Sequence, residues 1–200
     1  NLYRYKKSAN FTTYDRWTLQ YFMSAVYKDE KGRIWIGTTD SKTYKKGQLY
    51  TIDPNVAAPK LTPVANLDFS PNNIYKDRNS RMLIGSPSGL YHMDLNTKYI
   101  TRNSVIDESY VRGIHCSDGN NIWVYTYNNG LFLIRNHQGT THFPFDKNKY
   151  LRSAHCVVED QKGFIWIPTN RGLFQVSRQS LFDYADNKQH TIYYHYYNKE

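Results

Sequence analysis

The sequence predicts an all-β chain, a β-propeller fragment of about four four-stranded antiparallel blades with partial blades at both ends. Three observations carry that expectation. Apolar residues alternate with period two in short runs bounded by Asp, Gly and Asn, and no stretch presents a useful 3.6-residue apolar face. A pattern of apolar strand, Asp-led turn, second strand ending in a small polar residue, short loop and Gly-Leu-aromatic recurs four times. Its steps, measured at Trp35, Leu83, Trp123 and Trp166, are 48, 40 and 43 residues, the span that four short strands and their turns occupy in a blade.

Taken in order, Leu2–Tyr5 and Phe11–Tyr14 read as the last two strands of a preceding blade, so residues 1–20 form its end. Blade 21–66 contains Val26–Thr38, an eight-residue loop from Thr39 to Lys46, and Gly47-Gln48-Leu49-Tyr50. Blade 67–104 contains Ile74–Ser86 and Gly89-Leu90-Tyr91, with Leu83 at the Trp position and Ser80 at the turn Gly. Blade 105–145 contains Asp118–Thr126 and Gly130-Leu131-Phe132. Blade 146–186 contains Val157–Phe174, with Leu181–Tyr184 read as its fourth strand by analogy with Phe11–Tyr14. The aromatic run Thr191–Tyr197 within 187–200 reads as the first strand of a following blade or a link to it.

Each repeated position has a physical reason. Gly32 and Gly163 supply the positive φ of a tight turn, and Gly89, Gly130 and Gly172 open the strand after the loop. Trp35, Leu83, Trp123 and Trp166 have the bulk to fill the wedge between twisted sheets. Pro168 has no N–H to donate to a ladder, so its strand is expected to end there. The chain opens at Asn1 inside a strand-like segment, and the repeat phase leads us to expect blades beyond both ends.

Composition narrows the function classes. Aromatic residues make up 16% and charged residues 22% of the chain, a balance of packed β proteins rather than disordered ones. No apolar run approaches the roughly 18 residues that span a bilayer. The net charge of +9 is scattered, densest at Lys6-Lys7 and Lys45-Lys46, with no basic helix, so no nucleic-acid partner is expected. Cys116 and Cys156 lack a C-x-x-C or neighbouring ligands, and read as small apolar residues between blades rather than a zinc site or disulfide framework.

The combination D-x-x-G-x-I-W-I-G-T followed by G-L-Y/F, present in phase four times between Leu2 and about Tyr184, resembles the two-component regulator propeller repeat. That resemblance implies the periplasmic sensor region of a hybrid two-component histidine kinase and response regulator of Bacteroidetes, working in phosphorelay signal transduction. It implies oligosaccharide sensing, a homodimer of the full-length sensor, and anchoring in the inner membrane through a C-terminal span outside this sequence. The segment itself is expected to catalyse nothing and to need no cofactor or metal.

The residues offer binding chemistry rather than catalysis. No G-x-S-x-G, H-E-x-x-H, P-loop or G-x-G-x-x-G occurs. Loops at one mouth of a propeller usually bind while blades serve as scaffold, and there the sequence places Asp40 and Tyr44, then Tyr125, Tyr127 and Asn128, then Asn170 and Arg171, with Arg112 and Arg152 opening inner strands. Tyr rings stack on flat apolar surfaces while Arg and Asn heads bond hydroxyls or anions, which suits a sugar chain, including an acidic one. The same residues also suit ordinary solvated turns. His115 and His155, each before a Cys, could line a channel, although aligning on Asp118 and Asp160 shifts the pair by two residues. Tyr193, Tyr194, Tyr196 and Tyr197 are expected to pack against a neighbouring blade. Two rival functions are a propeller serving only dimerisation or protein interaction, and a polysaccharide-acting propeller enzyme, for which the single loop carboxylate Asp40 is poor support.

Overall fold

The computed structural model describes residues 1–5, 10–77, 80–116, 118–135 and 139–198. Lys6-Lys7 and the last two residues therefore lie outside the described residues. The chain forms two compact units, 1–74 and 75–200. Among the described residues, antiparallel strands form four four-stranded sheets and one hairpin, the architecture of propeller blades. No helix among the described residues is long and apolar enough to cross a membrane.

In the first unit, β1 (Leu2–Tyr5) pairs with β2 (Tyr14–Trp17) in the register Leu2↔Trp17. The strand expected at Phe11–Tyr14 thus begins later. Asn10 and Phe11 have φ of 50° and 60°, a left-handed backbone that no ladder accepts, so pairing starts only at Tyr14. The first sheet runs β3 (Phe22–Lys28), β4 (Ile34–Thr39), β5 (Gly47–Ile52), β6 (Thr62–Leu67) in spatial order. Leu19, Ile36, Tyr50 and Ile52 form its core with Leu2, Trp17, Ile34 and Leu61.

The second sheet runs β7 (Asn73–Lys76), β8 (Arg81–Ser86), β9 (Gly89–Asp94), β10 (Ile100–Asp107), and the third runs β11 (Tyr110–His115), β12 (Asn121–Tyr127), β13 (Leu131–Arg135), β14 (Gly139–His142). Their facing surfaces meet through Leu83, Leu90, Ile106, Val111, Ile122, Val124, Phe132 and Ile134. The opposite face of the third sheet carries Trp123, Leu131 and Leu133, which join Phe143, Leu151, Ile165, Ile167 and Phe174 in a second core. Period-two alternation thus sends successive residues of β12 into two different cores. Trp123 is fully buried; truncating such a side chain to Ala costs about 3–5 kcal/mol.

The fourth sheet runs β15 (Val158–Glu159), β16 (Phe164–Pro168), β17 (Gly172–Ser177), β18 (His195–Asn198). Two expectations are corrected here. Residues 181–184 are helical, within α1 (Arg178–Ala185), rather than a strand. The Ser177 side chain caps this helix by accepting from Ser180 N–H, buried Leu181 anchors it, and Phe182 stacks 5.9 Å from Trp123. The terminal aromatic run supplies the fourth sheet's own outer strand, with Phe174↔Tyr196 and Gln175↔His195, instead of opening another blade. Strand pairing therefore carries the fourth sheet beyond 186, to Asn198. Within that run Tyr194 and Tyr196 pack on the core, while Tyr193 is 78% exposed.

The repeated Asp is the fastener of each turn. Asp29 Oδ1 accepts from the N–H groups of Lys31 (3.0 Å) and Arg33 (2.9 Å), and its Oδ2 accepts from Arg33 Nε (2.9 Å) and the Trp35 indole (3.0 Å). Asp160 repeats this with Lys162 N–H, Phe164 N–H and the Trp166 indole at 2.8–2.9 Å. Gly32 and Gly163 adopt φ of 82° and 83° in these turns. Asp77 holds Arg81 N–H and Nε likewise, but Leu83 offers no indole, and Ser80 takes the Gly position at φ 58°. In the third sheet the Asp-to-Trp spacing is one residue shorter. Asp118 there bonds Asn120 and Asn121, and the Trp123 indole donates instead to Glu159 of the next sheet at 2.9 Å.

Candidate functional site

Strand registers position the site. Between Val111↔Thr126 and Gly113↔Tyr125, β11 carries an extra residue, Arg112, that the register skips. Such a bulge re-aims the side chain it inserts. The first sheet has the same irregularity at Ser24, between Met23↔Thr38 and Ala25↔Gly37. Bulge and register together make Gly113–Tyr125 the counterpart of Ala25–Gly37. The two pairs exchange bulk, because a Cβ on Gly113 would stand 2.0 Å from the Tyr125 hydroxyl. Burial, followed by the adjacent Cys156 thiol, pushes the Tyr125 phenol upward.

Arg112 lies with its guanidinium carbon 4.9 Å from the centroid of the Tyr127 ring, a cation–π contact. Its Nη1 also meets His155 Nδ1, and His155 Nε2 lies 2.7 Å from Asn170 Oδ1. A guanidinium only donates, so Nδ1 is the accepting nitrogen, and Nε2 carries the proton given to Asn170. Four side chains from the third and fourth sheets and their loops are thereby linked: Tyr127, Arg112, His155 and Asn170. Arg152, in the 3-10 turn Tyr150–Ser153, reaches the Asn128 carbonyl at 3.4 Å. The Arg171 carbonyl accepts from Tyr196 Oη at 2.8 Å.

Seven of the expected binding residues, Arg112, Tyr125, Tyr127, Asn128, Arg152, Asn170 and Arg171, therefore lie in the second unit, with Tyr125 below the surface and the rest at or near it. Asp40 and Tyr44 lie in the first. Asp40 accepts from Lys42 N–H and Thr43 Oγ1 at 2.9 Å each, contacts that hold its carboxyl below its ordinary range. It works as the clasp of its own loop, while Tyr44 is 69% exposed. A cleft of about 450 Å³ in this unit is lined by Leu19–Met23, Asn1 and Ser41, the neighbour of Asp40.

Sequence reasoning did not find the role of His155. His115 and His155 take different partners: His115 Nε2 is 3.7 Å from Glu159 Oε1, whereas exposed His155 bonds Arg112 and Asn170. His155 precedes β15 in irregular chain, so strand alternation does not govern its direction. Both cysteines are free thiols and half-buried, Cys116 accepting from Gly119 N–H at 3.1 Å. Among the described residues, no group of three or more His, Cys, Asp or Glu could hold a metal ion.

Residues 19–40 match the family model described as two component regulator propeller. No curated protein matches the chain. Among solved structures, the extracellular domain of BT4673 from B. thetaiotaomicron, assigned to a one component system, shares 15% identity at a TM-score of 0.62 over 86% of this chain and 24% of its own. PorZ, a surface component of the type-IX secretion system of Porphyromonas gingivalis, shares 13% identity at 0.64, over 86% of this chain and 28% of its own. The extracellular domain of BT3049 from B. thetaiotaomicron, assigned to a hybrid two component system, shares 18% at 0.56, over 79% of this chain and 23% of its own. The chain spans about a quarter of the length of these structures. The chain is thus a β-propeller segment in which residues 19–40 match that family model, and the Asp-led turn of the matched stretch recurs in the fourth sheet.

Proposed function

We propose that this chain is part of the extracytoplasmic, ligand-sensing propeller of a membrane-anchored hybrid two-component histidine kinase, and that its ligand is a glycan. The segment performs no chemistry of its own. A bound sugar shifts the population of two arrangements of the full-length protein, and the shift is read by a kinase on the other side of the membrane. Homodimerisation of the sensor supplies the second copy against which that shift acts.

The observation that carries this reading is the Tyr127–Arg112–His155–Asn170 chain of contacts, set in the third and fourth sheets and their loops in a chain whose residues 19–40 match the regulator family model. An exposed aromatic ring beside fixed hydrogen-bonding heads is the usual furniture of a saccharide site. The extracellular origin of two of the similar structures supports the location. The test is kinase output from the full-length protein in membrane vesicles across a panel of oligosaccharides. One sugar class is expected to change autophosphorylation, and Tyr127→Ala to abolish the response. Output indifferent to every sugar, with signalling intact in Tyr127→Ala, would return the propeller to a dimerisation scaffold.

A further inference from the structure

The site's hydrogen-bond inventory is lopsided. Four acceptors at the site each already take one hydrogen bond, and of them His155 Nδ1 has no further lone pair to offer while the three carbonyl oxygens keep one each. Asn170 Oδ1 takes the His155 Nε2 proton, and His155 Nδ1 takes Arg112. The Asn128 carbonyl takes Arg152 Nε, and the Arg171 carbonyl takes the Tyr196 hydroxyl. The Asn170 orientation is fixed by the same logic: were its amide nitrogen turned to His155, Nδ1 would carry the proton and face a guanidinium that has no acceptor to offer. The uncommitted donors outnumber those lone pairs and carry the charge: they are the Asn170 amide N–H groups and the guanidinium heads of Arg152 and Arg171, neither of which is ion-paired among the described residues. Asp146, the carboxylate of the same connecting loop, is occupied by Asn148 N–H (2.9 Å) and Leu151 N–H (2.8 Å).

From this we infer that the Arg112–His155–Asn170 cluster is a subsite for an oxyanion carried on a saccharide, the carboxylate of a uronic acid or a sugar sulfate. An oxyanion offers only acceptors, and guanidinium and amide N–H groups meet it with charge-assisted bonds. The inference rests on the proposed glycan-sensing function, and it adds the charge of the ligand. Arg112 serves as the fixed element, held over Tyr127 and against His155, while Arg152 and Arg171 close on the anion.

The experiment is calorimetric titration of the full-length protein with trigalacturonate, with its methyl ester, and with sodium sulfate. Trigalacturonate is expected to bind at least about tenfold more tightly than the ester and to weaken as salt rises. The surface variant Arg152→Gln/Arg171→Gln is expected to erase that preference with its melting temperature unchanged, and His155→Gln to reduce it. Equal affinity for acid and ester, both lost in Tyr127→Ala, overturns the anion assignment and leaves the glycan-sensor reading standing. Sulfate binding as tightly as trigalacturonate overturns the saccharide part, and binding of neither acid nor sulfate overturns the subsite.

Discussion

Asp29 and Trp35 are coupled through a buried bond, and their coupling can be worked out from the contacts. Asp29 is 4% exposed and accepts four hydrogen bonds. Asp29→Ala leaves the buried Trp35 indole N–H without its acceptor, about 1–3 kcal/mol, and removes two turn bonds worth about 0.5–1.5 kcal/mol each. The bond from Arg33, whose side chain is 34% exposed, adds less than about 1 kcal/mol. The total is about 2–7 kcal/mol. Trp35→Phe retains the ring and deletes the donor, so in that background Asp29→Ala is expected to cost about 1.5–2 kcal/mol less. Urea denaturation of the four proteins, with hydrogen exchange at Lys31 and Arg33 as the local readout, gives this coupling energy directly. A coupling under about 0.5 kcal/mol would refute the clasp as an energetic unit. Its pH dependence has a defined sign. Burial raises the Asp29 carboxyl, but the Trp35 and Arg33 hydrogen bonds outweigh it and the net position is below 3.8. The contribution is therefore present above the unfolded carboxyl's pKa and lost as pH falls through the lower folded value, a loss that Asp29→Asn abolishes.

The remaining expectations concern packing and turns. Gly113→Ala drives a Cβ into Tyr125 and is expected to destabilise by more than about 3 kcal/mol in thermal denaturation; adding Tyr125→Gly, which recreates the Ala25–Gly37 pair, recovers most of it. Ser80→Gly relieves a left-handed serine and is expected to raise stability by about 0.5–1 kcal/mol, seen as an increased urea midpoint. Glu159→Ala strands the fully buried Trp123 indole and costs about 2–3 kcal/mol, whereas Glu159→Gln retains an acceptor and costs about 1 kcal/mol; equal losses in the two variants would show that the Arg178 charge rather than the indole sets the effect.

Much of the fold was legible because the repeat states it four times. Trp35, Leu83 and Trp123 are buried, and the third strands begin at or just after the glycines of the Gly-Leu-aromatic motif. Trp166 is only half-buried, with Tyr197 stacked 5.8 Å away. The misreadings fell outside the motif that recurs four times. Leu181-Phe182-Asp183-Tyr184 has strand-like composition, yet Ser177 caps a helix there and Trp123 receives Phe182. The Glu159 bond was foreshadowed by the five-residue spacing from Asp118 to Trp123 against six elsewhere, a difference that withdraws the local acceptor. The link from His155 to Arg112 had no such signal, since it joins residues 43 apart through a bulge that only the register reveals.

That bulge has a consequence for how a repeat diversifies. At Ser24 and at Arg112 the first strand of the sheet carries one residue that its partner strand does not count. Substitution at this slot leaves every cross-strand pair in phase, so a serine in one copy and an arginine in another are both compatible with the same ladder. Such a blade separates the residues that must agree with their neighbours from one that is at liberty to differ, and a ring of blades inherits one adjustable position for each copy that keeps the bulge.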